Sequence, residues 1–89
     1  MFFGNYKPRL LTISMVGGRL MMAYRYIQTK KVKNEFELNL NDYATVLKNG
    51  EFEVVTTDKR YRFRVGKNES PEEAAEEIND VIRKGYALM

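Results

Sequence analysis

The chain has 89 residues and a formal net charge of +3, from 15 Lys or Arg and 12 Asp or Glu. Hydrophobic residues make up 44% of it and charged residues 30%, which is typical of a folded globular domain. We therefore predict one domain over residues 1–89. The sequence contains no Cys and no His, which excludes disulfides, zinc–thiolate sites and Cys nucleophiles and removes the commonest general base. We expect no enzymatic activity, no metal site and no cofactor.

No segment of the sequence is typical of a membrane span or a secretion signal. The longest apolar stretch near the N-terminus, residues 20–23, is far shorter than the roughly 20 residues that a spanning helix needs. The first residues lack the basic region and apolar core of a signal peptide. Since Cys is also absent, we expect a cytoplasmic protein.

Charge is distributed unevenly along the chain. Residues 1–68 contain 13 basic and 6 acidic residues, whereas residues 69–89 contain 2 basic and 6 acidic residues. A basic body followed by an acidic C-terminal segment indicates that the body contacts an anionic partner.

The first predicted element is a hairpin around Gly17-Gly18, with strands at about 10–16 and 19–27. One face of both strands is then wholly apolar. The predicted pairs are Met15 with Leu20, Ile13 with Met22, and Leu11 with Tyr24. A basic, polar connection over residues 28–34 follows, and then a half-buried strand at 35–40, in which Phe36, Leu38 and Leu40 alternate with polar residues.

Two further hairpins are predicted in residues 44–66. Asn49-Gly50 is the strongest short hairpin signal and joins strands at 44–48 and 51–57. A turn at Asp58-Lys59 leads to a strand at 60–66. The predicted pairs are Leu47 with Phe52, Thr45 with Val54, Thr56 with Tyr61, Val54 with Phe63, Phe52 with Val65, and Glu53 with Arg64.

The last predicted element is a helix over about 71–84. Ser70 and Glu73 form a capping box, Pro71 occupies the first helical position, and Gly85 is a natural stop. Apolar residues recur at helical spacing and form one stripe: Ala74, Ala75, Ile78, Val81 and Ile82. Together the elements predict an α+β domain, in which an antiparallel sheet or partly open barrel of about six strands is closed by one C-terminal amphipathic helix.

The order of these elements resembles a bacterial pleckstrin-homology-like (PH/GRAM-type) domain. The resemblance is carried by FELNLNDYATVLKNGEFEVVTTDKRYRFRVGKNESPEEAAEEINDVI, residues 36–82, which contains an Asn-Gly turn, a strand ending in Thr-Thr, a basic-aromatic strand and a closing helix. The segment GRLMMAYRYI, residues 18–27, is similar to the strand that precedes this region in such domains. The resemblance implies a PH-like fold and a binding role.

The most distinctive surface segment is the basic-aromatic strand at 60–64. Simple alternation would bury Tyr61 and Phe63 and leave three arginines in water. In a functional interpretation, Arg60, Arg62 and Arg64 form an arginine ladder on one sheet face. Lys59 and Lys67 extend that ladder into an anion-binding surface. Glu53 is expected to neutralise part of it.

A second basic cluster is formed by Lys30, Lys31 and Lys33 in the connection, with Arg25 one strand earlier. We name these four residues the lysine loop. It either keeps the protein soluble or contacts nucleic acid or an anionic membrane surface. Tyr24 and Tyr26, two residues apart, are predicted to point to one face, which either enters the core or forms a base-stacking platform; we expect the core.

Three functional hypotheses follow. The first is a PH-like binding module that contacts a protein partner or an anionic surface. The second is a small nucleic-acid-binding or phage-type regulatory protein, and the third is an enzyme. The low net charge and the acidic helix disfavour strong nucleic-acid binding, and the lack of His and Cys disfavours an enzyme, so the first hypothesis leads. Unpaired sheet edges also allow a homodimer.

Overall fold

The computed structural model describes residues 2–3, 7–66 and 68–87. The elements are β1 (Phe2–Phe3), β2 (Lys7–Pro8), β3 (Leu10–Val16), β4 (Arg19–Arg25), β5 (Val32–Leu38), β6 (Tyr43–Val46), β7 (Glu51–Val55), β8 (Arg60–Arg64) and α1 (Pro71–Ala87). The α+β class, the six predicted strands and the C-terminal helix are confirmed. The two short strands β1 and β2 were not predicted.

The strands form two antiparallel sheets in place of the single sheet or barrel that the sequence predicted. One sheet has the order β3-β4-β5, and the other has the order β2-β1-β8-β7-β6. They separate at a tight turn, in which the Asn39 amide donates to the Asp42 side chain over 2.8 Å and the Asp42 amide donates to the Asn39 carbonyl over 3.0 Å. Leu40 lies in this turn and is 63% exposed, so its prediction as a buried strand residue is wrong. Within the described residues, neither sheet closes into a barrel.

The first hairpin has the predicted register. Met15 pairs with Leu20, Ile13 with Met22 and Leu11 with Tyr24. Gly17 and Gly18 adopt φ values of 57° and 79°, which residues with a Cβ rarely adopt, and so they hold a two-residue turn. The second strand of this hairpin is shorter than predicted, because β4 ends at Arg25 and not at residue 27.

The second hairpin turns where the sequence predicted, but its register differs by one residue. Asn49 and Gly50 have φ values of 60° and 75°, and the Glu51 amide donates to the Lys48 carbonyl over 3.2 Å. The Leu47 amide, however, donates to the Glu51 carbonyl over 2.8 Å, so β6 carries one extra residue as a bulge. Because one residue of slip exchanges the two faces of a strand, the predicted pairs of this hairpin are wrong. The observed pairs are Val46 with Phe52, Thr45 with Glu53, and Ala44 with Val54.

The register of the third hairpin differs from the prediction by two residues, so each side chain stays on its predicted face of the sheet. The Thr56 hydroxyl accepts from the Lys59 amide over 3.1 Å, and the Thr56 amide donates to the Lys59 carbonyl over 2.9 Å, so the turn begins one residue earlier than predicted. The predicted partners on β8 are therefore wrong. The observed pairs include Phe52 with Phe63, Glu53 with Arg62, and Val54 with Tyr61.

The two sheets pack against each other through aromatic contacts. The Tyr24 and Phe63 rings meet edge to face with centroids 6.2 Å apart, and the Phe36 and Tyr61 rings stack with centroids 3.8 Å apart. Side chains from both sheets and from α1 share one core, whose largest fully buried members are Phe52, Phe63, Met22, Leu38 and Val54.

Helix α1 begins as predicted and ends later. The Glu73 amide donates to the Ser70 hydroxyl over 3.2 Å, which confirms the N-cap. The predicted stop at Gly85 is wrong, because the helix continues to Ala87. A Cβ at Gly85 would lie in ordinary van der Waals contact with the Leu20 side chain, at 3.5 Å, so the helix passes beside Leu20 at this point.

The buried stripe of α1 is narrower than predicted. Ala75, Ile78 and Ile82 are buried, but Val81 is 37% exposed, so its prediction as a core residue is wrong. Near the C-terminus of the helix, the Tyr86 hydroxyl donates to the Leu38 carbonyl. Burial, followed by the nearby Glu37 and Asp42 carboxylates, raises the pKa of Tyr86, which keeps its hydroxyl protonated as a donor.

Asn79 joins the helix to the outer edge of β6. Its Oδ1 accepts from the Ala44 amide over 2.7 Å, and its Nδ2 donates to the Ala44 carbonyl over 3.0 Å. The side-chain amide thus satisfies the backbone groups that a neighbouring strand would otherwise pair. This contact fixes α1 against the five-stranded sheet.

We expect Ile78→Ala to lower the free energy of unfolding by about 2–4 kcal/mol, because it removes a buried side chain. Val81→Ala should cost less than about 1 kcal/mol, because Val81 is partly exposed. Urea denaturation of both variants tests the assignment, and equal losses would show that the helix presents a different face.

Asn79→Ala should cost about 1–3 kcal/mol, because it leaves the Ala44 amide and carbonyl without their partner. The matched control is Glu76→Ala, an exposed position on the same helix, with an expected cost below about 0.5 kcal/mol. The same denaturation measurement applies. An Asn79→Ala variant as stable as the control would show that the edge contact contributes nothing.

Candidate anion-binding surfaces

The arginine ladder exists on the outer face of β8. Tyr61 and Phe63 are buried on the inner face, so the three arginines that alternate with them share the opposite face. Burial, followed by the neighbouring Tyr24 and Asp58, raises the pKa of Tyr61, which therefore remains neutral beside the core. The alternation predicted from the sequence accounts for both faces.

A buried carboxylate, that of Glu53, contacts two arginines of this ladder. Glu53 lies on the outer face of β7 and is only 5% exposed; it accepts a hydrogen bond from Arg60 over 3.4 Å and forms an ion pair with Arg62 over 3.7 Å. The predicted pair of Glu53 with Arg64 is wrong, since Arg64 lies opposite Glu51. Because Glu53 is held between Arg60 and Arg62, the pair carries less uncompensated charge than two free arginines would.

Lys59, one of the two lysines predicted to extend the ladder, does not do so. The Lys59 ammonium lies 5.4 Å from the centroid of the Tyr61 ring, which belongs to the inner face of the sheet. Lys59 is therefore directed away from the ladder. Lys67 lies outside the described residues.

The lysine loop lies at an ordered turn between β4 and β5, with Arg25 in β4 and Lys33 in β5. The Lys30 amide donates to the Tyr26 carbonyl over 2.9 Å, and the Tyr26 amide donates to the Lys31 carbonyl over 3.0 Å. Arg25 braces the turn from β4, because its side chain donates to the Lys30 carbonyl over 3.0 Å and to the Thr12 hydroxyl over 3.2 Å. The backbone is thus fixed while the lysine side chains are exposed.

The four cations of the lysine loop carry no ion pair within the part of the chain that the structure describes. Lys33 belongs to β5, which begins at Val32. The predicted connection over 28–34 is therefore shorter than expected. In contrast to Arg60 and Arg62, these side chains have no carboxylate partner among the described residues.

An exposed aromatic ring lies at the same end of the sheet. Tyr26 is 40% exposed, and its ring has the Arg9 guanidinium 5.0 Å and the Lys33 ammonium 5.8 Å from its centroid. The prediction that Tyr24 and Tyr26 both enter the core is wrong for Tyr26, because β4 ends before it and the register shifts at Tyr24 and Arg25. Arg9 was not predicted as a site residue, and no pattern in the sequence connects it with Tyr26.

Comparisons with protein-family models, with curated proteins and with solved structures return no match. Among the described residues, no group of three or more acidic, His or Cys side chains is placed to hold a metal ion. The described helix is too short and too polar to cross a membrane.

Replacing Glu53 should strengthen the ladder's attraction for polyanions. In Glu53→Gln, Arg60 and Arg62 lose their carboxylate partner, so the protein should elute from a heparin column at higher salt. Glu76→Gln is the matched control, because it makes the same change in net charge at an exposed position on α1, away from both basic surfaces. Coelution of the two variants would show that Glu53 does not restrain the ladder.

Proposed function

We propose that this protein is a non-enzymatic binding module with a PH-like fold that contacts a protein partner or an anionic surface through its basic side. The observation that carries the proposal is the lysine loop, whose cations stand on a hydrogen-bonded turn without ion-pair partners among the described residues. An ordered array of uncompensated cations is suited to binding carboxylates or phosphates.

The order and packing of the elements support the PH-like part of the proposal. An antiparallel sheet, a second antiparallel sheet packed across it, and a C-terminal helix in the shared core follow one another as in that type of domain. Such a fold does not itself define a ligand, so the ligand class rests on the charged side chains.

The lysine loop contributes more to this proposed surface than the arginine ladder does. Arg60 and Arg62 form ion pairs with Glu53, which weakens their attraction for a further anion. The ladder is then a secondary contact. Without His or Cys the chain lacks the commonest general base and any thiol nucleophile, which favours binding over catalysis. The lack of Cys also favours a cytoplasmic location.

A nucleic-acid-binding or phage-type regulatory role is the second candidate. The observation that favours it is Tyr26, an exposed ring between Arg9 and Lys33. Aromatic rings flanked by cations can stack on bases while the cations contact phosphates. The acidic C-terminal segment, with six acidic residues in 69–89, works against long-range attraction of a nucleic acid.

We expect Lys31→Glu with Lys33→Glu to abolish binding to anionic liposomes, because it reverses two charges of the lysine loop. Lys48→Glu with Lys84→Glu makes the same change in net charge at exposed positions away from the loop and should retain binding. Liposome cosedimentation with and without phosphatidylserine measures both. Equal losses in the two variants would show that only the net charge matters.

The nucleic-acid candidate is tested by titrating labelled single- and double-stranded DNA and RNA at several salt concentrations. We expect weak binding with a steep salt dependence, and the lysine-loop variant should lower the log–log salt slope by about 2. Tight binding that persists at high salt, or a clear sequence preference, would favour the nucleic-acid role. If neither liposomes nor nucleic acids bind, an acidic protein partner is the remaining ligand for the basic side.

A further inference from the structure

A groove runs between the three-stranded sheet and the helix, on a different part of the molecule from the lysine loop. It has a volume of about 470 Å³ and lies between β3 and α1. Its floor is apolar and is formed by Leu11, Ile13, Met22, Ala74, Ile78 and Val81. This volume is within the usual range of ligand sites, about 300–1,000 Å³. The exposure of Val81, which the helical pattern placed in the core, is explained by this groove.

The strand beside the groove has an unpaired edge. Among the described residues, β3 pairs with β4 alone. Its sequence, LLTISMV, contains no charged residue and no proline, which are the features that usually protect an edge from a further strand. The other edge that adjoins the helix, that of β6, is occupied by Asn79. The edge of β3 is thus available to an added strand.

The hairpin register determines which backbone groups β3 offers. In a two-residue hairpin, the residues that flank the turn, Val16 and Arg19, form a hydrogen-bonded pair, and the pairs then alternate along the strands. The backbone groups of Leu11, Ile13 and Met15 therefore point outward to the free edge. Leu11 and Ile13 also line the groove. A strand added at this edge would direct every second side chain into the groove.

The negative charge on the rim of the groove favours a ligand with basic side chains. Glu73 and Glu77 line the groove from α1, one helical turn apart, and neither forms an ion pair within the described ranges. A basic side chain could lay its aliphatic stem along the apolar floor and place its charged end against these carboxylates. A second copy of this chain is disfavoured, because symmetric pairing of two β3 strands would bring the two acidic rims together.

We propose that the groove binds an extended segment of a partner protein, which adds a strand to β3 and inserts alternating apolar and basic side chains between β3 and α1. Strand addition supplies affinity through the main chain, and the groove supplies specificity through alternate side chains. The ligand class is opposite in charge to that proposed for the lysine loop. The two surfaces can therefore be tested separately.

The probe is a labelled synthetic peptide, Thr-Leu-Thr-Arg-Thr-Leu-Thr, whose alternate residues match the floor and the rim. We expect it to bind in fluorescence anisotropy and to shift the backbone amide resonances of Leu11, Ile13 and Met15. The same peptide with Glu in place of Arg, and a version N-methylated along its pairing edge, should bind at least about fivefold more weakly, because the first opposes the rim and the second cannot pair.

The protein variants are two double substitutions that remove the same charge. Glu73→Gln with Glu77→Gln should weaken binding at least about fivefold, whereas Glu72→Gln with Glu76→Gln, on the helix face toward β6, should change it less than about twofold. Circular dichroism shows that each variant is folded. Lack of binding by the wild type, equal affinities of the two variants, or amide shifts away from β3 would overturn the proposal. So would sedimentation showing a β3-mediated dimer that the peptide does not dissociate.

Discussion

The pairing of β7 with β8 is the constraint on which the rest of the structure depends. Because side chains alternate along both strands, one register buries Phe52 and Phe63 and directs Glu53 outward with Arg62. The buried aromatics create the surface on which the second sheet packs, through the contact of Phe63 with Tyr24. The same register places a buried carboxylate under the arginines. The register of β7 and β8 therefore determines both the packing of the core and the charge on the outer face of this sheet.

The helix adds a second constraint, because it is attached to the two sheets differently. Toward the five-stranded sheet, Asn79 closes the edge of β6 by hydrogen bonds to Ala44. Toward the three-stranded sheet, two contacts lie near the C-terminus of the helix, where a Cβ on Gly85 would lie 3.5 Å from Leu20 and the Tyr86 hydroxyl donates to the Leu38 carbonyl. The N-terminal half leaves a gap beside β3. The groove thus lies beside the N-terminal half of α1, away from the contacts of its C-terminal end with Leu20 and Leu38.

The molecule consequently presents two surfaces of opposite character. One consists of cations on a hydrogen-bonded turn, with the exposed ring of Tyr26 beside them. The other is an apolar groove with an acidic rim, next to an edge of β3 that pairs with no further strand among the described residues. Under the two proposals above, these surfaces take ligands of opposite charge, and each repels a second copy of itself.

Local signals predicted the elements well and the register less well. The Gly17-Gly18 turn predicted the register of its hairpin correctly, because few other residues adopt its backbone angles. The bulge at Leu47 and the side-chain hydrogen bond of Thr56 depend on how the strands meet the core, and propensity alone does not contain them. The candidate cations were found because charge is visible in a sequence. Burial of Glu53 and exposure of Val81 were not, since both depend on the distance between elements.

The most direct test of this account is the register of β7 and β8 in solution. The hydrogen bond from the Thr56 amide to the Lys59 carbonyl makes Glu53 and Arg62 a non-hydrogen-bonded pair, whose Cα atoms should be about 4.5 Å apart. A nuclear Overhauser effect between the Hα protons of Glu53 and Arg62 is therefore expected. An effect between the Hα protons of Glu53 and Arg64 would contradict the account, because Glu53 would then pair with a different arginine and the aromatic contacts between the sheets would have to change.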